Sequence, residues 1–135
     1  MMVLDTSAAS AVMHGVAEAL ERLRRERPDE VVLVAPVAAE IGFGLQRLAK
    51  GSRRRQLLEA EYATLRQVLR WEDWSEEAAE EFGRQKARLE RLGTLIEDFD
   101  IAIGSIAVVL GARLATLNSK HMARLDRIVI EDWSG

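Results

Sequence analysis

The chain has 135 residues, 48% hydrophobic and 30% charged, with 19 Lys and Arg against 22 Asp and Glu for a net charge of −3. That length suits one compact domain with its own core, read here as residues 1–135. The lack of cysteine excludes disulfides, thiolate metal sites and a cysteine nucleophile. The acidic balance excludes nucleic-acid binding by bulk charge alone, so contact with RNA would need a local basic patch or bridging cations.

No apolar run approaches the roughly 20 residues of a membrane span. The longest, Ile101 to Leu110, is interrupted by Gly104 and Ser105 and suits a buried helix. Met1-Met2-Val3-Leu4-Asp5 lacks the basic and longer apolar regions of a signal peptide, so a cytoplasmic protein without membrane attachment is expected.

In chain order, Met2 to Leu4 reads as a short strand ending at Asp5, and Ser7 to Met13 as a short helix stopped near Gly15. Val16 to Arg27 is amphipathic, with Val16, Leu20 and Leu23 at helical spacing. Pro28-Asp29 ends it. The β-branched run Val31 to Val34 predicts a strand buried on both faces. Pro36 opens a helix that runs to about Ala49 and stops near Gly51. Ser52 to about Arg66 is a further helix, with Leu58, Tyr62 and Leu65 on one face, and Val68 to Trp71 a candidate strand. Asp73-Trp74-Ser75-Glu76 reads as a capping box, with Asp73 at the cap. The helix after it carries Ala78, Phe82, Leu89 and Leu92 on one side and ends at Gly93. A central, nearly all-apolar helix begins at Asp98 or Asp100 and ends at Gly111. Arg113 to Thr116 and Ile128 to Glu131 are the last strands. Helices alternating with short apolar strands predict an α/β sandwich around a largely parallel sheet.

Four carboxylates stand out. Asp5 follows the first strand, Glu40 sits one turn into the helix after the second, and Asp98 and Asp100 open the central helix. Asp5, Asp98 and Asp100 each suit a helix cap when taken alone. Glu40 lies near Val37 and Ile41 on what reads as a buried face, where an unpaired carboxylate is costly. As a set, acids gathered at the carboxyl edge of a parallel sheet repel one another unless a divalent ion neutralises them. Oxygen ligands favour magnesium or manganese, and such an ion supports hydrolysis of a phosphodiester. Gly42 and Gly44 interrupt the helix bearing Glu40 at roughly 1 kcal/mol each against alanine. Close packing is the expected reason.

Several stretches resemble one family. Met2-Val3-Leu4-Asp5-Thr6-Ser7 looks like the opening of VapC-type PIN-domain toxins. Pro36 to Gly44, with Glu40, looks like their second motif, and Asp98-Phe99-Asp100-Ile101-Ala102-Ile103-Gly104-Ser105 their third. Ala115 to Met122 and Ile130-Glu131-Asp132-Trp133 resemble their last motif and tail, so the likeness covers essentially the whole chain in order. It implies a PIN-like three-layer α/β/α sandwich and a Mg²⁺-dependent endoribonuclease, with Mn²⁺ a substitute. It further implies a dimer, inhibited by a VapB-like antitoxin that inserts a segment into the acidic groove. Substrates would be structured RNAs such as transfer RNA. Carried over, Asp5, Glu40 and Asp100 match the metal-binding acids and Asp98 a less constant companion. From its place beside Asp5, Thr6 suits either orienting a ligand carboxylate or capping the short helix.

This sequence departs from the family pattern in three places. Where many members carry another acid in the last motif, it has Asn118 and His121, which leaves one or two metals open. Asn118 would hold a metal-bound water, and His121 would contact a phosphate or merely close the turn. Gly104-Ser105 replaces Ala-Ala, and Leu125-Asp126-Arg127 replaces Pro-Gly; both point to altered packing.

Two rival readings remain. A phosphotransfer enzyme with Asp5 as nucleophile expects an acid where Ser7 stands and a lysine nearby, and only Lys50, Lys86 and Lys120 are present. A PIN-fold binding module with weakened activity would follow from the change at Asn118. The arginines at 53–55 and at 22, 24, 25 and 27 suit either RNA phosphates or ordinary exposed helix faces, and His14 is not needed as an acid or base. Trp71 and Trp74 suit a partner surface.

Overall fold

The computed structural model describes all of Met1–Gly135. Five strands, β1 (Met2–Leu4), β2 (Val31–Val34), β3 (Arg70–Glu72), β4 (Arg113–Thr116) and β5 (Val129–Asp132), form one sheet in the order β3-β2-β1-β4-β5. Every pairing is parallel, with Met2 opposite both Val31 and Arg113. Seven helices connect them: α1 (Thr6–Met13), α2 (Ala17–Arg24), α3 (Ala35–Gln46), α4 (Arg53–Val68), α5 (Glu76–Leu92), α6 (Asp98–Leu110) and α7 (Ser119–Met122). All residues of β1 and β2 are fully buried. Successive strand side chains point to opposite faces, so helices must cover both faces of the sheet. This is the expected α/β/α sandwich.

The strand order fixes where a site can form. From β1 the chain moves outward through β2 to β3, then crosses back to β4 and outward to β5. The reversal falls between β1 and β4, and a crevice opens outside the carboxyl ends of strands at such a point. The last residues before that crevice are Leu4, paired with Ala115, and then Asp5 and Thr116.

Several boundaries shift from the sequence reading. α2 ends at Arg24, and Pro28–Glu30 forms a 3₁₀ turn. α3 ends at Gln46 rather than Ala49, and β3 begins at Arg70 rather than Val68. The capping box is incorrect as read. Ser75 is the cap of α5, its hydroxyl accepting from Ala78 N at 3.1 Å, while Asp73 accepts from the Trp71 indole at 2.7 Å. Ala78 and Leu89 face the core, but Leu92 is 59% exposed, and the buried face of α5 also carries Glu81 and Gln85. α6 is central as expected: Ile101 through Ala107 are buried, and Gly111 ends it at φ 65°.

Two departures from the family pattern meet in space. A Cβ built on Gly104 would lie 2.2 Å from Leu125 Cδ1. Leu125, 3% exposed, fills the place an alanine methyl would take. The small residue on α6 and the large one before β5 therefore compensate. The segment carrying Leu125 is pinned by Gln85, whose Nε2 donates to the Asp126 carbonyl (2.9 Å) and whose Oε1 accepts from Asp126 N (3.0 Å). Arg127 takes a left-handed φ of 62°, unfavourable by about 1 kcal/mol for a residue with a Cβ. Its guanidinium is held on Glu81 Oε1 at 3.0 Å.

Packing does not explain Gly42 and Gly44. Nothing lies within 4 Å of a Cβ at either position, so the expected close approach is absent within this chain.

Candidate active site

Asp5 ends β1 and caps α1. It is 2% exposed, and both of its oxygens are engaged. Oδ1 accepts from Ala8 N (2.9 Å) and Ser7 Oγ (2.6 Å), and Oδ2 accepts from Thr116 Oγ1. Capping and site membership, alternatives in the sequence, coexist in this side chain. Its donors come from the first turn of α1 and from the end of β4. Ser7 Oγ also accepts from Leu117 N (3.0 Å) and Thr116 Oγ1 from Asn118 N (2.9 Å), tying the loops after β1 and β4 together.

Glu40 comes from the second turn of α3 and is half-buried. The Thr6 hydroxyl donates to its Oε1, so Thr6 orients a carboxylate as the sequence suggested. Asp100, in the first turn of α6, is half-buried. Burial, with repulsion from Asp5, Glu40 and Glu97, pushes its carboxyl up to about 6, against partial relief from His121. Asp5, Glu40 and Asp100 have no Lys or Arg ion-pair partner, in a chain with ion pairs on most of its other elements.

Asp98 stands apart. Its side chain is 61% exposed, and Oδ1 is 3.0 Å from Lys86 Nζ. It lines a cleft of about 550 Å³ together with Glu97, Asp100, His121 and Arg124. The structure thus brings Asp5, Glu40 and Asp100 together and leaves Asp98 on the rim. Glu97, which the sequence reading passed over, lines the same cleft and adds its repulsion to Asp100. Asn118 is exposed, and its carbonyl accepts from the amides of His121 and Met122 as α7 begins. Thr116 was missed as a site residue. A hydroxyl at the end of an apolar strand is a weak signal until that strand is known to lie beside β1.

No three of the chain's histidine, aspartate and glutamate side chains form a ready-made cage around an ion. The donor set nevertheless fits a hydrated hard cation. Magnesium keeps several waters and commonly takes only one or two carboxylates directly. Mutually repelling carboxylates without a Lys or Arg partner, oriented by hydroxyls of Thr6, Ser7 and Thr116, are suited to that role.

The other singled-out residues sort simply. Trp133 is buried at 2% exposure, Trp74 meets Phe82 edge-to-face at 5.7 Å, and Trp71 lies under the Arg66 guanidinium at 4.0 Å. No helix is long and apolar enough to cross a membrane.

Comparison with known proteins agrees with this geometry. A family model described as PIN domain matches residues 2–128. Ribonuclease VapC2 of Rickettsia felis is 25% identical over 103 residues, covering 76% of this chain and 74% of that protein. Among solved structures, VapBC2 from Rickettsia felis bound to a DNA fragment from its promoter superposes with a TM-score of 0.87 at 21% identity, covering 98% of each chain. DNA-bound VapBC from Salmonella typhimurium gives 0.85 at 23% identity, covering 98% of this chain and 97% of that one. At such identities the structures establish a common fold.

Proposed function

The chain belongs to the PIN-domain family, and on that premise we propose that it is a metal-dependent endoribonuclease of the VapC type, the toxin of a toxin–antitoxin pair. The observation that carries this reading is the electrostatics of the crevice. Carboxylates from β1, α3 and α6 meet at the topological switch point without a cationic partner, and their repulsion and burial lift Asp100 to about 6. A protein that needed these acids only for structure would pair them, as it pairs Glu81, Glu131 and Glu26 with arginines.

Asp5, Glu40 and Asp100 would hold Mg²⁺ or Mn²⁺, with Asp98, Glu97 and Asn118 at the margin. The bound ion supplies Lewis acidity toward a phosphodiester and lowers the pKa of a water. The chain's own residues do the positioning. Ser7, the Ala8 amide and Thr116 fix the Asp5 carboxylate, and Thr6 fixes that of Glu40. Asp100, titrating near 6, is ionised above neutrality and available as a ligand. His121 and Arg124 line the same cleft, where the Arg124 guanidinium offers positive charge and the His121 ring a polar contact to an approaching phosphate. The name of the Rickettsia felis relative, a ribonuclease, supports RNA as substrate, and the VapBC assemblies support an antitoxin partner; its insertion into the acidic crevice is what the family resemblance implies. Transfer RNA as target, a homodimer and a cytoplasmic location follow from the same family resemblance.

The test is cleavage of total cellular RNA by purified, partner-free protein, with Mg²⁺, with Mn²⁺ and with chelator. Discrete fragments that require metal and vanish in Asp5→Asn and Asp100→Asn support the reading. No cleavage with either metal by folded protein would count against it and favour a PIN-fold binding module. Cleavage surviving both substitutions would move the site elsewhere.

A further inference from the structure

Beside the acidic crevice lies a second cavity, of about 230 Å³, whose lining follows three helical stripes. α1 contributes Thr6, Ser10, Met13 and His14, one face at intervals of three and four residues. From α3 come Glu40, Ile41, Gly44 and Leu45, and α4 closes the space with Arg54 and Leu58. Thr6 and Glu40 belong at once to this cavity and to the carboxylate cluster, so the cavity borders the acids.

Two features are left unexplained by the fold. Arg54 forms no ion pair and no hydrogen bond, whereas its neighbour Arg55 is tied to Glu59 (3.5 Å) and to the Leu48 carbonyl (3.3 Å). Gly44 sits inside α3 one turn after Glu40, at a cost of roughly 1 kcal/mol, yet a Cβ there would meet nothing within 4 Å. A side chain at position 44 would stand in the cavity, so the glycine keeps open a space that packing does not require.

Resting on the ribonuclease reading above, we propose that this cavity is a nucleotide subsite. It seats one base of the RNA strand next to the scissile phosphate, against Met13, Ile41, Leu45 and Leu58, with Arg54 on the following phosphate. RNA enzymes and binders take up unstacked bases on apolar walls, and arginine meets phosphate at the mouth. The volume is below the roughly 300 Å³ of an ordinary small-molecule cleft and admits one planar group. The His14 ring donates from Nδ1 to the Ser10 carbonyl (2.8 Å), which leaves Nε2 at the rim without a protein partner.

The experiment uses a fluorescein-labelled single-stranded RNA of mixed sequence. Its binding is measured by anisotropy in Ca²⁺ and its cleavage in Mg²⁺, for wild type, Arg54→Gln, Gly44→Leu and Gly44→Ala. Arg70→Gln, at the amino end of β3, controls for net charge. Arg54→Gln and Gly44→Leu are expected to weaken binding and raise KM about tenfold with kcat within about twofold. The log–log salt slope of binding should fall by about 0.7 in Arg54→Gln and stay unchanged in Gly44→Leu, since only the first removes a phosphate contact. Gly44→Ala, the better helix former, is expected to melt higher than wild type while still binding RNA more weakly, which separates the cavity from folding. Wild-type binding and salt slope in both Arg54→Gln and Gly44→Leu overturn the subsite even if Asp100→Asn abolishes cleavage. If those two variants leave RNA binding intact but lose a copurifying protein partner, the cavity belongs to that partner and the subsite is equally overturned. Wild type that neither binds nor cuts RNA removes the ribonuclease reading and the subsite with it.

Discussion

Two clusters of carboxylates treat the same chemistry in opposite ways. Beside the start of β5, Glu81 is 9% exposed and is gripped by Arg84 (2.6 Å), Gln85 (2.7 Å) and Arg127 (3.0 Å). The Arg84 hydrogen bond, with Gln85 and both arginine charges, draws its carboxyl below the ordinary range against the opposing effect of burial. In the crevice, Asp100 has acids for neighbours and is driven the other way, up to about 6. The first cluster is neutralised within the chain and anchors a loop. The second is left charged and crowded, a state that a divalent ion would relieve. Burial acts alike in both; the partners decide between scaffold and site.

The contrast is sharpest in what each cluster should lose. Asp5→Asn and Asp100→Asn are expected to cut RNA cleavage by about 100-fold or more while leaving the fold intact. If circular dichroism shows either variant unfolded, the crevice is structural after all. Gln85→Leu should do the reverse. It strips partners from both backbone groups of Asp126 and from Glu81, at about 2 kcal/mol. The loss is read from urea denaturation, with kcat little changed once the protein is folded. Thr116→Val tests the link between strand ends. Removing the donor to Asp5 Oδ2 and the acceptor for Asn118 N is expected to lower activity about tenfold and stability by about 1 kcal/mol.

The smallest effect, and the one that sets the clusters directly against each other, is the pH dependence of metal-free stability in chelator. The Asp100 carboxyl titrates at about 6 when folded against 3.8 ordinarily. Between those values the native chain binds more protons than the unfolded one, and stability falls as pH rises. Asp100→Asn should therefore be more stable than wild type above pH 6, with the difference vanishing below about 4. Glu81 titrates lower when folded than its ordinary 4.5. Its contribution is present above about 4.5 and is lost as pH falls through the folded value. The stability deficit of Glu81→Gln should accordingly shrink on acidification. Parallel pH profiles for the two variants would erase the distinction between the clusters.

Much of this was legible in the chain. The apolar run Val31 to Val34 announced a doubly covered strand because each residue had to be apolar on both faces, and Met2 to Leu4 announced a short strand that is equally buried. Gly93 and Gly111 marked helix ends because left-handed backbone favours a residue without Cβ. Asp5, Glu40 and Asp100 were visible as acids following strands or opening a helix. Local pattern was less informative where competing caps were available. Ser75 rather than Asp73 starts α5, since the Trp71 indole occupies Asp73.

The sequence by itself determined the element types, the alternation that makes a parallel sheet, and the identity of the acids, because these follow from periodicity, turn chemistry and charge. Tertiary structure decided the rest, because it depends on which strand lies beside which. Only the β1–β4 pairing puts Thr116 on Asp5. Asp98 goes to Lys86 while Asp100 faces the crevice because residues two apart in a helix point about 200° from one another. Gly104 answers to Leu125, far along the chain, and Gly44 answers to an open cavity; nothing local in either helix distinguishes the two.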